Sequence, residues 1–260
     1  MESTIKILID RDKCTGCGLC AADCLRHIIE VRDGKACVRS DDCIKCGHCL
    51  AVCPEKAVRM DGIDDTVLEA EAAANMLDPG ALEAHLKLRR SVRQYQQRPV
   101  EQEKLEKIIE AGRLTPTGSN SQNVRYIVIQ HGIDALEAET LRLYIELAKQ
   151  PPLPGSPDMS KYKLEPGCLF YHAPALILAV SEDTRNACLA SMSMELMAES
   201  LGLGTVYVGL FTRPANQSEA LRRELGIADK ENIAICLTVG YPDVTYLRSA
   251  PKKPANVEWR

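Results

Sequence analysis

The chain has 260 residues, 45% of them hydrophobic and 26% charged, with a formal net charge of -4. That balance is ordinary for a soluble globular protein and speaks against a nucleic-acid binder, which would carry a basic surplus. The opening residues MESTIKILID alternate apolar and polar side chains, so no secretory signal is expected, and the longest clean apolar stretch, APALILAV at 173–180, falls well short of the roughly 20 residues that span a bilayer. The expected setting is the cytoplasm, with neither membrane nor nucleic acid as partner.

The first feature along the chain is a run of thiols, CTGCGLCAADC at 14–24, whose spacing returns 29 residues later as CIKCGHCLAVC at 43–53. In a reducing cytosol disulfides rarely persist, and clustered cysteines more often bind metal or do redox chemistry. C-x2-C-x2-C-x3-C is the bacterial iron–sulfur spacing: three close thiolates grip one cubane and the fourth reaches across to the other. The spacing therefore assigns Cys14, Cys17, Cys20 and Cys53 to one 4Fe-4S cluster, and Cys43, Cys46, Cys49 and Cys24 to its twin. Tetrahedral zinc also uses C-x2-C pairs, but a zinc module does not ask for a third and fourth cysteine at these offsets. Gly16, Gly18 and Gly47 suit the tight turns around a cubane.

The same shift aligns LIDRDKC with CVRSDDC and CLRHIIEV with CPEKAVRM, which predicts a strand, a cluster loop and a second strand in each half. Residues 3 to about 61 resemble the two-cluster bacterial ferredoxins, a small α+β domain. One run departs from that pattern, ending Cys24-Leu25 where the other keeps Cys53-Pro54. The change is expected to alter local hydrogen bonding and not ligation. Cys37 falls where Leu8 stands in the other half and reads as a buried strand thiol. From 61 to 85 the chain carries seven acidic residues and no lysine or arginine, with a break at Asp78-Pro79-Gly80. It reads as a solvated helical connector in two pieces, the second running into LEAHLKLRR, and marks a domain boundary.

Beyond it, LRRSVRQYQQRPV at 88–100 places Arg89, Arg90, Arg93 and Arg98 around Ser91, a set of donors suited to an anion. A helix is predicted over 101–113, then a proline-glycine-polar loop, Thr115 to Gln122, then a strand from Arg125. The proline-rich stretch 150–167 reads as a substrate-side lid. A long apolar helix over 184–201 closes on glycines and runs into the strand of GLGTVYVG. A dinucleotide fingerprint should follow a strand and open a helix, so a Rossmann site is rejected. Cys168, Cys188 and Cys236 lie in apolar contexts and read as buried packing thiols.

With RRSVR at 89–93, TPTGSNSQ at 115–122, ESLGLGTVYVG at 199–209, VGYP at 239–242 and PKKP at 251–254 in this order, residues 86–260 resemble the nitroreductase family of FMN enzymes. The resemblance implies an α+β sandwich with a mainly antiparallel sheet between helices, and an intertwined homodimer with flavin at the subunit interface. It implies that Arg89, Arg90 and Ser91 lie near the FMN phosphate and ribityl chain, and that Arg93 faces N1 and O2 of the ring. It further implies that Pro116, Thr117, Gly118 and Asn120 reach the flavin held mainly by the partner, that the backbone of Gly209 and Leu210 lies near N5, and that Lys252 and Lys253 close on the phosphate. The chain departs from the family at Asn123-Val124, where Pro-Trp is common, and this puts one wall of the pocket in question. No catalytic acid is identifiable.

The expected organisation is a two-cluster domain over 1–61, an acidic helical linker over 62–85 and an FMN domain over 86–260. The expected function is a relay of single electrons from the clusters to FMN, which reduces a small electron-poor acceptor such as a nitroaromatic, quinone or activated alkene. The electron donor is ferredoxin or NAD(P)H. A redox carrier or sensor that serves a protein partner without turnover is the alternative.

Overall fold

The computed structural model describes residues 6–63, 65–69, 77–147 and 163–260. The chain divides into two compact units, Met1–Met76 with Gly118–Ser121, and Leu77–Thr117 with Gln122–Arg260. Among the described residues no helix is long and apolar enough to cross a membrane.

The first unit is built on the 29-residue repeat. Strand β1 (Lys6–Ile9), helix α1 (Leu19–Ala22) and strand β2 (Ile29–Arg32) recur as β3 (Lys35–Val38), α2 (His48–Ala51) and β4 (Val58–Asp61). The halves pair with each other, β1 antiparallel to β4 and β2 antiparallel to β3. Left-handed backbone repeats as well: Gly18 and Gly47 have φ of 81° and 75°, and His27 and Lys56 have 50° and 48°. Gly16 (φ 72°) is matched by Lys45 (φ 58°). A Cβ on Gly16 would lie 2.1 Å from the Gly34 carbonyl oxygen, so only glycine fits there. The core is small, with Ile28, Ile29, Ala36, Ala57 and Val58 packed against the thiols of Cys14, Cys20 and Cys49. So few apolar side chains are a thin core for a unit of this size, and such domains usually rely on disulfides or metals. Cys37 corrects the sequence reading: it is half-exposed on β3, with its sulfur 3.9 Å from Glu30 Oε1.

In the second unit helix α3 (Pro79–Leu88) starts at the Asp78-Pro79 break, where the Asp78 carboxylate accepts the Ala81 N–H at 2.6 Å. This is the second piece of the expected connector; much of the first lies outside the described residues. Next come α4 (Gln102–Arg113), β5 (Arg125–Ile129), α5 (Ile133–Leu147), β6 (Ala175–Ser181) and α6 (Thr184–Ser200). Strand β7 (Gly204–Tyr207), α7 (Gly209–Gln217), α8 (Glu219–Glu224) and β8 (Asn232–Gly240) complete it. The strands form one antiparallel sheet in the order β5-β6-β8-β7.

All seven residues of β6 are buried, which explains why APALILAV reads as an unbroken apolar run. Leu176, Leu178 and Val180 pack with Leu136, Phe170 and Phe211. Ala175 and Ile177 pack instead with Ile108 of α4 and Met194 and Ala198 of α6. Helices thus cover both faces of the sheet, as an α+β sandwich requires. Gly112 lets α4 approach α6, since a Cβ there would lie 2.7 Å from Tyr126 Oη and 3.0 Å from Met194.

The expected lid lies largely outside the described residues. At its C-terminal end the buried Glu137 carboxylate accepts N–H groups of Gly167, Leu169 and Phe170 at 2.5–3.0 Å. Of the three cysteines read as packing thiols, Cys236 is buried, Cys168 is partly exposed and Cys188 is exposed on α6, because 188 falls on the helix face turned from the sheet.

Candidate functional site

In the first unit the eight repeat cysteines sort into two cavities. One, with about 340 Å³ of empty space including its mouth, is lined by Cys14, Cys17, Cys20 and Cys53. The other, of about 370 Å³, is lined by Cys43, Cys46, Cys49 and Cys24. Each cavity takes three cysteines from one run and its fourth from the other.

Among the described residues no three His, Cys, Asp or Glu side chains converge as ligands of a single metal ion. A cubane is held by one thiolate at each iron, so its cysteines surround the group and do not meet at a point. The donor chemistry of both cavities fits such a group. Backbone N–H groups point at the sulfurs: Ala36 to Cys14, Lys45 to Cys43 and Ala57 to Cys53, each at 3.3 Å. The Ala36 N–H holds the Cys14 thiol below its ordinary pKa, helped by the Gly16 N–H and the charge of Lys35. Burial pushes the Cys49 thiol up to about 11. His48 Nδ1 lies 3.1 Å from Asp23 Oδ2, next in sequence to Cys24 and Cys49.

In the second unit the arginine segment lies against the edge of the sheet. Val92 N donates to the Thr205 carbonyl at 2.9 Å, Gln96 N to the Tyr241 carbonyl at 2.9 Å, and bridges join Ser91 to Thr205 and Tyr95 to Pro242. Two glycines paired in register, Gly204 and Gly240, make room for it. A Cβ at 204 would sit 2.4 Å from Val92, and one at 240 would sit 2.7 Å from the Tyr95 ring. The buried Tyr95 hydroxyl donates to the Val92 carbonyl at 2.8 Å and shares a 2.6 Å hydrogen bond with Thr238. Burial raises its pKa well above the usual phenol range.

On this platform the Arg89 guanidinium pairs with the Glu195 carboxylate of α6. Arg90 donates to the Arg89 and Lys87 carbonyls. Arg93 lies 5.8 Å over the Tyr171 ring, and the Ser91 carbonyl accepts the Tyr246 hydroxyl at 3.2 Å. Thr117 Oγ1 accepts the Gln122 N–H at 2.9 Å, and Thr115 Oγ1 lies 2.7 Å from Ser193 Oγ. Ser119, Asn120 and Gln122 all have positive φ, a conformation costly for residues with a Cβ and concentrated at functional loops.

Asn120 falls in the first unit, where its side chain donates to the carbonyls of Ile44 and Lys45 at 3.1 and 3.0 Å. Gly209 opens α7 in the open, and a Cβ added there would meet nothing within 4 Å, so packing within this chain does not demand the glycine. The Leu210 carbonyl accepts the Tyr144 hydroxyl. Lys252 and Lys253 are exposed on a C-terminal segment without helix or strand. The departure at Asn123 is settled locally, since its side-chain oxygen accepts a hydrogen bond at 2.9 Å from the buried Asn186. Within the second unit the partly exposed Arg89 and Arg90, the exposed Arg93, Lys252 and Lys253 and the open backbone at Gly209 are donors of the kind that a phosphate-bearing flavin takes.

Sequence reasoning missed Glu195, Tyr95 and the Gly204–Gly240 pair. Glu195 had a signal, a charged residue inside an apolar helix stretch; the glycines had none without knowledge of strand register.

Residues 86–241 match the nitroreductase family, and residues 6–54 match a 4Fe-4S dicluster domain. Proteins from Archaeoglobus fulgidus and Methanothermobacter thermautotrophicus, both provisionally named NADH dehydrogenase/NAD(P)H nitroreductase, are similar. The first is 29% identical over 59% of this chain and 81% of its own length, the second 26% over 60% and 75%. Among solved structures, a nitroreductase with bound FMN from Bacteroides fragilis superposes with a TM-score of 0.56 at 22% identity, over 68% of this chain and 97% of its own. One from Desulfitobacterium hafniense, also with FMN, gives 0.56 at 22% over 70% and 100%. An iodotyrosine deiodinase bound to FMN and 3-iodo-L-tyrosine gives 0.55 at 20% over 69% and 98%. At these identities the structural likeness is one of fold. With the sandwich, the edge-held arginines and the family match together, the chain belongs to the nitroreductase family of FMN-dependent oxidoreductases.

Proposed function

We propose that the protein is an iron–sulfur flavoprotein in which two 4Fe-4S clusters feed single electrons to FMN for reduction of a small electron-poor organic acceptor, a nitroaromatic, quinone or activated alkene. The observation that carries this reading is the crossed lining of the two cavities, three thiols from one run and one from the other, in a chain of an FMN-dependent family. When bound, the clusters handle one electron at a time and the flavin can collect two, so the combination converts a one-electron supply into a two-electron reduction.

The chain's own residues bind and orient. Cys14, Cys17, Cys20 and Cys53 hold one cluster, and Cys43, Cys46, Cys49 and Cys24 the other. Arg89, Arg90 and Ser91 take the phosphate and ribityl chain, with Lys252 and Lys253 closing on it. Arg93 offers a fixed cation to the flavin N1 and O2 edge, where reduction places negative charge. Pro116, Thr117, Gly118 and Asn120 form the loop toward the flavin, and the backbone of Gly209 and Leu210 borders N5. The two-cluster domain spans 1–61, the linker 62–85 and the FMN domain 86–260. The protein works as a cytoplasmic homodimer with flavin at the subunit interface, a reading supported by the exposed C-terminal Leu247, Val257 and Trp259. The names of the two archaeal relatives favour NAD(P)H as donor, and the attached clusters favour reduced ferredoxin.

Anaerobic titration with dithionite tests the scheme: cluster and flavin absorption should bleach together, and protein that purifies with iron but without flavin would refute it. Steady-state rates with a panel of acceptors separate the enzyme from a carrier, which turns none over.

A further inference from the structure

Arg89 does not stand alone at the sheet edge. Its partner Glu195 is 1% exposed, while the Arg89 side chain is 28% exposed. One Glu195 oxygen takes the guanidinium, and the other, Oε2, is buried with only the Tyr207 phenol against it and no well-formed hydrogen bond among the described residues. One helical turn on, the half-buried Glu199 pairs with His85 of α3 at 2.9 Å, and burial raises its carboxyl above the ordinary range. Tyr207 of β7 lies against the same group; burial and then the Glu195 charge raise its phenol, and its hydroxyl donates to the Ser191 carbonyl. A carboxylate this buried, with one oxygen unsatisfied, is costly unless a cation is fixed beside it. It carries no sign of a structural cap, which would satisfy both oxygens as Glu137 does with three N–H groups.

We propose that Glu195 is a positioning residue for anion recognition. It grips one end of the Arg89 guanidinium from inside the fold and turns the remaining N–H donors outward in a single orientation, so that the phosphate of FMN meets a pre-set fork. The gain is preorganisation: a guanidinium already fixed loses less freedom when it binds. The inference rests on the reading of Arg89, Arg90 and Ser91 as the phosphate site. It predicts that Glu195 governs preference for the phosphorylated flavin over riboflavin, although it touches neither.

The test uses the full-length chain, stripped of flavin and titrated with FMN and with riboflavin by flavin fluorescence, in wild type, Glu195→Gln, Arg89→Gln and the double variant. Glu195→Gln should weaken FMN about tenfold, the scale of one charge-assisted hydrogen bond, and leave riboflavin within about twofold. In the Arg89→Gln background it should have no further effect on the FMN-to-riboflavin ratio, because it acts only through that arginine. If Arg89→Gln lowers the ratio but Glu195→Gln leaves it unchanged or raises it, Glu195 does not position the fork. Equal loss of both flavins in Glu195→Gln would show a merely structural role and likewise overturn it. If Arg89→Gln leaves the ratio unchanged, the phosphate reading itself has failed, and the inference with it. Should Arg89→Gln not fold, Arg89→Lys keeps the charge, loses the fork and serves the same comparison.

Discussion

The two units assemble their candidate sites by opposite means. In the first, every proposed ligand lies within two eleven-residue runs, and the backbone that shapes the loops repeats down to its left-handed residues. In the second, the segment bearing Arg89 to Arg93 is seated by residues more than a hundred positions away, Thr205, Thr238 and Tyr241, and one of its arginines is paired with Glu195. A site written as local spacing depends on its ligands; a site written as long-range packing depends on the platform beneath it.

That contrast breaks most sharply at the cysteines. Cys24→Ser and Cys46→Ser belong to different runs but one cavity, so each should cost the same cluster and about half of the iron and sulfide per chain. Cys17→Ser should remove the other cluster, and Cys37→Ser should leave both. If electron paramagnetic resonance groups Cys24 with Cys17, the crossed assignment is wrong. Because the core around the thiols is thin, removing the iron with a chelator should also melt the first unit well before the second.

A second, smaller effect tests the platform. Arg89→Ala strands a buried carboxylate and should destabilise the chain by about 3 kcal/mol, whereas Glu195→Gln leaves only a partly exposed cation and should cost about 1 kcal/mol. Urea midpoints in the reverse order would mean that Glu195 is compensated by something other than Arg89. Next in size, Gly204→Ala drives a methyl into Val92 and should cost about 1–3 kcal/mol while loosening the arginine segment. Gly18→Ala, in the first unit, meets no neighbouring atom and should cost about 1 kcal/mol for its left-handed backbone alone.

The same contrast explains what could be read from the chain. The repeat and the sorting of its cysteines into two cavities were legible because they are written as thiols at fixed short offsets, and the helices at 102–113 and 184–200 because an amphipathic or buried face shows as periodicity. Exposure was less legible: Cys188 and Cys37 sit in apolar sequence, yet a helix or strand turns alternate residues outward, and only tertiary packing decides which. Glu195 was missed because its partner is 106 residues away. The Asn120 amide donates to two carbonyls of the second cysteine run, a contact across some 75 residues that no local pattern shows.

The smallest effect lies at the edge of the second unit and turns on pH. Tyr241 follows β8 and carries Arg98 stacked 3.6 Å from its ring centroid, with Lys104 donating to its hydroxyl at 2.7 Å. That hydroxyl donates in turn to Glu101 Oε2 at 2.6 Å, and with help from its own backbone and Arg98 the hydrogen bond holds the Glu101 carboxyl down at about 2. A carboxyl whose folded pKa lies below its ordinary 4.5 favours the folded state wherever it is ionised in both states, that is, above about 4.5. The contribution fades as pH falls toward 2, where the folded form also takes up a proton. Glu101→Gln should therefore have a lower urea midpoint than wild type at pH 7, with the gap closing steadily from pH 4.5 to pH 2. The group is open to solvent, so the gap should also shrink in high salt. A gap independent of pH would show that the Tyr241 contact acts through packing, and the local charge would then have no part in holding the start of α4 to the end of β8.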